Sequence, residues 1–169
     1  MAANNDDMVN AIAFVPSGFS TLSGQYNTNI GTPDGLNTSC TSAAPKNNVW
    51  FKFVALETDQ SLFVLTGGTF GTLQKPIMSV WDETGNIEIA CYQGTTIDKA
   101  FIHIDNLIVG NTYLVSIDNT NTNEAGSFTL FADASEISML DVLAPGTIKY
   151  NDSLNKFQGW NGTNWVDFN

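Results

Sequence analysis

Arginine is absent from the chain. Its 169 residues carry six lysines and one histidine against 17 Asp and Glu, a formal net charge of −11 with an isoelectric point near 4.1. Nucleic acids are held by neutralising phosphates with Lys and Arg, and anionic membrane surfaces by the same cations, so both are excluded as partners. Without Arg there is no planar fork for two-point capture of phosphate, which argues against nucleotide binding and phosphoryl transfer. Charge of either sign is scarce, at 14% of residues. No run of about 18 apolar residues occurs, so no helix is expected to cross a membrane. The start, Met1-Ala2-Ala3-Asn4-Asn5-Asp6-Asp7, is polar and acidic, the opposite of a signal peptide. It suits a chain whose signal has been removed, or a protein made inside a cell and released in a particle.

Catalytic groups are equally sparse. One histidine and two cysteines cannot furnish the three or four His and Cys ligands of a zinc site. His103 sits in Phe101-Ile102-His103-Ile104-Asp105 and alternates with apolar residues, which places it on the solvent side of a strand. Asp105 shares that side and can pair with it, but no Gly-x-Ser-x-Gly elbow supplies a nucleophile. Gly67, Gly68 and Gly71 lack the Lys-Ser/Thr ending of a phosphate loop. No catalytic residue is assigned, and the chain is expected not to be an enzyme.

Uncharged polar residues are abundant instead: 19 Asn, 18 Thr and 12 Ser. The hydrophobic period is two. Short runs rich in Val, Ile, Phe, Trp, Tyr and Thr are separated by Gly, Asn and Asp, an all-β pattern. Strands are predicted near 11–15, 20–26, 49–56, 61–66, 77–82, 87–92, 100–104, 112–118 and 126–132. Such a series specifies a jelly-roll-like antiparallel β-sandwich over 1–133. Asn27–Asn48 is a long loop rich in Gly, Pro, Ser and Thr, and loops of that length are functional or tied down. A linker or short helix follows at 134–145. The stretch 146–169 changes character, with Tyr150, Phe157, Trp160, Trp165 and Phe168 among its 24 residues. It reads as a small aromatic-rich β-meander, too small to stand alone, that packs on its own chain, on a copy of itself or on a neighbouring protein.

Three sets of residues are candidates for binding. Asn5, Asp6 and Asp7 offer consecutive oxygen donors, and Asp34 and Asn48 on the long loop add more; calcium takes 6–8 such oxygens. Calcium is the one cofactor expected. Trp81, Tyr92, Trp160 and Trp165, with amide neighbours, are candidates for stacking on a sugar, whereas Trp50, in mid-strand, reads as core. Cys40 and Cys91 are compatible with a disulfide or with two free thiols; a bridge would contribute roughly 4 kcal/mol in the entropic picture.

The run Asn4–Ile12, then Gly24, Asn48-Val49-Trp50-Phe51-Lys52-Phe53, Thr112–Ile117 and Gly126–Leu130 resembles the bacterial pre-peptidase C-terminal domain, which is similar to the collagen-binding module of bacterial collagenases. The likeness covers about 4–132. It implies a secreted, non-catalytic jelly-roll sandwich appended to enzymes or adhesins for binding or stability. Some members bind calcium through an Asn-Asp at the start, matched by Asn5 and Asp6, and an Asp before the aromatic strand, where this chain has Asn48. Gly146–Asn169 resembles a short element at the ends of phage tail and fibre proteins and of bacterial surface proteins, implying assembly. The expected function is a non-catalytic extracellular binding or adhesion module for a surface glycan or fibrous protein. The alternatives are a virion component with capsid or tail partners, a homo-oligomer through 146–169, and an ancillary domain of a secreted hydrolase.

Overall fold

The computed structural model describes residues 4–41, 43–95, 99–133, 148–151, 156–160 and 165–167. The chain divides into two compact units, Met1–Ser135 and Glu136–Asn169.

The first unit is a β-sandwich. Its strands are β1 (Ile12–Phe14), β2 (Phe19–Ser20), β3 (Tyr26–Asn27), β4 (Val49–Val54), β5 (Gln60–Leu65), β6 (Pro76–Asp82), β7 (Glu88–Gln93), β8 (Lys99–Ile104), β9 (Thr112–Asn119) and β10 (Ser127–Asp133). One sheet has the order β1-β4-β9-β6-β7, the other β2-β10-β5-β8 with β3 also on β10. Every pairing is antiparallel except β1 with β4. Alternation sets the two faces of each sheet. Val49, Phe51 and Phe53 of β4 and Tyr113, Val115 and Ile117 of β9 meet Leu62 and Val64 of β5 and Phe128 and Leu130 of β10 in one core. Tyr26 and Phe51 pack edge to face at 5.0 Å, and Phe51 meets Phe128 at 6.1 Å.

The sequence pattern places nine strands in this unit, and one differs in kind. The run 20–26 splits into β2 and β3, because Leu22–Gln25 turns out of the sheet. Gln25 N–H donates to the Leu22 carbonyl, the Gln25 side chain accepts from Leu22 N–H, and Gly24 has φ +62°. The hairpin at Asp82 is built by its carboxylate, which accepts from the N–H groups of Asn86 and Ile87, both at 3.0 Å.

In the second unit, β11 (Ile148–Asn151), β12 (Lys156–Trp160) and β13 (Trp165–Asp167) form a three-stranded antiparallel meander, with Trp160 opposite Trp165. The side chains of Trp160 and Trp165, and the linker at 134–145, lie outside the described residues. Among the described residues no helix is long and apolar enough to cross a membrane.

Candidate functional site

The long loop lies as a strap over the outer face of the first sheet. Its two ends are held by carboxylates that accept backbone N–H groups. At the near end the Asp34 carboxylate accepts from Met8 N–H (2.9 Å), from the Asn48 amide (2.9 Å) and from the Trp50 indole N–H. At the far end Asp118 on β9 accepts from Lys46 N–H (2.9 Å) and Asn47 N–H (2.8 Å). Burial pushes the Asp118 carboxyl above its ordinary value, against the downward pull of those bonds. Mid-strap, Ser39 donates its N–H and hydroxyl to Glu88 on β7, and Cys40 is disulfide-bonded to Cys91 with Cα atoms 5.6 Å apart. Of the two states open to the cysteines, the bridge is the one formed.

The strap decides the fate of two tryptophans. Trp50 and Trp81 point away from the inter-sheet core and pack with Ala11 and Leu114 in a second, smaller cluster. Each is only 2% exposed. Trp50 is therefore buried, as its mid-strand position implies, but under the strap. Trp81 is corrected: its indole N–H is spent on Ser79 Oγ (2.8 Å) and its ring is covered, so it presents no face to a sugar. Strap and sheet enclose a cavity of about 10 Å³ lined by Leu36, Trp50, Trp81, Asp118 and Asn119 among others, room for a single water molecule. The Asn119 amide oxygen is buried without a hydrogen-bond partner among the described residues.

The residues expected to hold calcium gather at the near end of the strap. Asn5 is buried and donates its side-chain amide to the Trp50 carbonyl (3.0 Å). Asp6, also buried, accepts from Thr32 through both oxygens, from N–H and hydroxyl. The Asn48 oxygen accepts from Asp34 N–H (3.0 Å), and Asp7 is exposed. The oxygen donors are of the kind a hard cation takes, but those of Asp6, Asp34 and Asn48 already face N–H or O–H groups. Among the described residues no three His, Cys, Asp or Glu side chains gather closely enough to hold a metal ion.

The second sheet has a different outer face. β5 is buried on both sides, its outward positions being Ser61, Phe63 and Leu65. Phe131 of β10 lies opposite Phe63 of β5, and Phe63 opposite Phe101 of β8. The three rings form one line across three strands, extended at the β10 end by Phe70, 6.4 Å from Phe131. Phe63 and Phe101 stack with centroids 4.5 Å apart and planes 30° from parallel. Rings lying flat side by side cannot approach so closely, so these stand upright with their edges outward. The sequence pattern did not single out these phenylalanines, because Phe at a strand's outward position looks the same as Phe in its core.

Beside this row, Ser61 Oγ is 3.0 Å from His103 Nδ1, and Asp105 Oδ1 is 3.2 Å from His103 Nε2. Ser, His and Asp thus stand in a line that the sequence spacing did not show, because Ser61 comes from the neighbouring strand. Acyl transfer needs a reachable hydroxyl and a buried carboxylate that orients the imidazole. Burial here is the reverse: Ser61 is fully buried, and the Asp105 side chain is 70% exposed. Of the rings proposed for ligand, Tyr92 on β7 is exposed, at 43%.

No protein-family model matches the chain, and no curated protein matches it in sequence. Solved structures do resemble it. The pre-peptidase C-terminal domain of a collagenase from Bacillus anthracis aligns over 73% of this chain and 94% of that domain, at 10% identity and a TM-score of 0.42. A CBM35 module from Cellvibrio japonicus aligns over 70% of this chain and 94% of its own, at 18% identity and a TM-score of 0.38. The CBM36-1 domain of a multidomain xylanase from the hindgut metagenome of Trinervitermes trinervoides is covered completely by 70% of this chain, at 10% identity and a TM-score of 0.35.

Proposed function

We propose that the Met1–Ser135 unit is a non-catalytic extracellular binding module that docks on a fibrous protein through the outer face of its second sheet. The observation that carries this reading is the Phe131–Phe63–Phe101 line, an apolar row on the outer side of the second sheet in which half-buried Phe131 and Phe101 flank a buried Phe63. Upright rings seat between the apolar side chains of another protein and offer little flat surface to a sugar. The Cys40–Cys91 bridge supports an extracellular setting, because disulfides persist in oxidising compartments. A glycan ligand is the second reading, favoured by the exposed ring of Tyr92.

The test is binding of Phe101→Ala, Phe131→Ala and Tyr92→Ala proteins, each verified as folded, to immobilised collagen and to a glycan array. Loss of about tenfold or more in collagen affinity in the Phe variants, with Tyr92→Ala unchanged, supports the ridge; tenfold corresponds to about 1.4 kcal/mol. Glycan binding lost only in Tyr92→Ala moves the ligand to the second reading. Binding that survives all three substitutions overturns both.

Calcium at the near end of the strap is a further part of the proposal. It would have to displace the Thr32 and Met8 donors from Asp6 and Asp34. A melting temperature raised by calcium and restored by chelator supports it; identical melting in both leaves that corner a hydrogen-bonded tie.

A further inference from the structure

We infer that the strap, over its described residues 35–41 and 43–45, is a redox-released cover over a second aromatic face. Its two ends are fixed independently of the disulfide. Asp34 is tied to Met8, Asn48 and Trp50, and Lys46 and Asn47 are tied to Asp118. Between those anchors, the covalent and hydrogen-bond ties from the strap to the sheet among the described residues are Cys40–Cys91 and Ser39–Glu88. The latter are exposed and compete with water. Both cysteines are half-buried, so a reductant can reach the bridge. At Gly35, φ is +82° and an added Cβ would lie 2.9 Å from Trp50 Cζ2, so the strap enters its crossing pressed against the indole it covers.

The chemistry is thiol–disulfide exchange with a dithiol reductant. One reductant thiolate attacks a sulfur of the bridge and forms a mixed disulfide, releasing the other cysteine as a thiolate that takes up a proton. The second reductant thiol then displaces the remaining cysteine. Two electrons pass to Cys40 and Cys91, which end as thiols, and the reductant ends as a disulfide. Among the described residues, the mid-strap hydrogen-bond tie to the sheet that remains is Ser39–Glu88, and the strap swings about its anchors at Asp34 and Lys46. What it uncovers is Trp50, Trp81 and Ile77, with Asp118 and Asn119 beside them. The oxidised module offers the phenylalanine ridge; the reduced module offers that ridge and a tryptophan face.

The experiment compares the full chain before and after treatment with dithiothreitol. It reads hydrogen exchange peptide by peptide and oxidative labelling of Trp50 and Trp81 by mass spectrometry. Exchange over 35–45 is expected to rise about tenfold or more on reduction, with labelling of both tryptophans increased, while β4 and β9 stay protected. A Cys40→Ser, Cys91→Ser protein should behave as the reduced form without reductant, and Glu88→Gln in the oxidised form should leave the strap closed. Unchanged exchange over 35–45 after reduction would overturn the inference, since the carboxylate ties alone would then hold the strap. So would loss of protection in β4 and β9 together with the strap, because the bridge would then be holding the sandwich and not its cover.

Discussion

Two aspartates of this chain are driven in opposite directions by their surroundings. Asp118 is 6% exposed, and burial raises its carboxyl above the ordinary 3.8. Asp82 sits on an open hairpin, and the N–H of Ile87 and the hydroxyl of Thr84 lower it below 3.8. The consequences for stability have opposite signs. Between 3.8 and its raised value, folded Asp118 keeps a proton that the unfolded chain has lost, so its contribution to stability falls as pH rises through that window. Asp82 contributes stability above 3.8, which is lost as pH falls through its lowered value. Carboxyl titration by NMR should show Asp82 deprotonating first and Asp118 last of the two; the reverse order would mean that Asp118 is hydrated beneath the strap. A second single-residue test lies at Gly71. Its φ is +145°, and an added Cβ would stand 2.0 Å from the Ser127 carbonyl oxygen. Gly71→Ala should cost about 2–3 kcal/mol in denaturant unfolding, from backbone strain together with the forced shift of β10.

At the scale of elements, the strands were legible because alternation and turn residues agree along most of 1–133. What was not legible is which outward positions are covered. Trp81 and Phe63 both occupy outward positions on their strands and both are buried, Trp81 under a strap that arrives from some forty residues earlier and Phe63 in a row assembled from β5, β8 and β10. Cross-strand register and loop path are long-range properties that no local window contains. The same reason hid Ser61 from His103. The strap's loop was recognisable by length and composition, and one of its ties was anticipated as an option by Cys40 and Cys91; Asp118 and Glu88 were not. Trp81→Ala should therefore lower stability by roughly 3–5 kcal/mol as a core truncation, and leave ligand binding unchanged once the protein is held below its melting point. A binding defect without a stability loss would return Trp81 to the ligand surface.

For the whole molecule, the main question is what each unit does without the other. Among the described residues, the inter-sheet core is assembled from residues between Ile12 and Ala132, and its largest buried side chains, Phe51, Phe53 and Phe128 among them, belong to the first unit. A sandwich of this size buries enough surface to fold alone. The three-stranded meander of the second unit is below the size at which a sheet stabilises itself in water, so it draws stability from a neighbour of some kind. A chain ending at Ser135 is thus expected to keep an all-β circular dichroism spectrum, a single cooperative unfolding transition and its ridge-dependent binding. If 146–169 serves assembly, light scattering should show the full chain larger than a monomer and the shortened chain monomeric. A full chain that is already a monomer would remove the assembly role and leave the meander's aromatics to pack within their own chain. A shortened chain that unfolds non-cooperatively would show instead that the sandwich depends on the second unit for its stability.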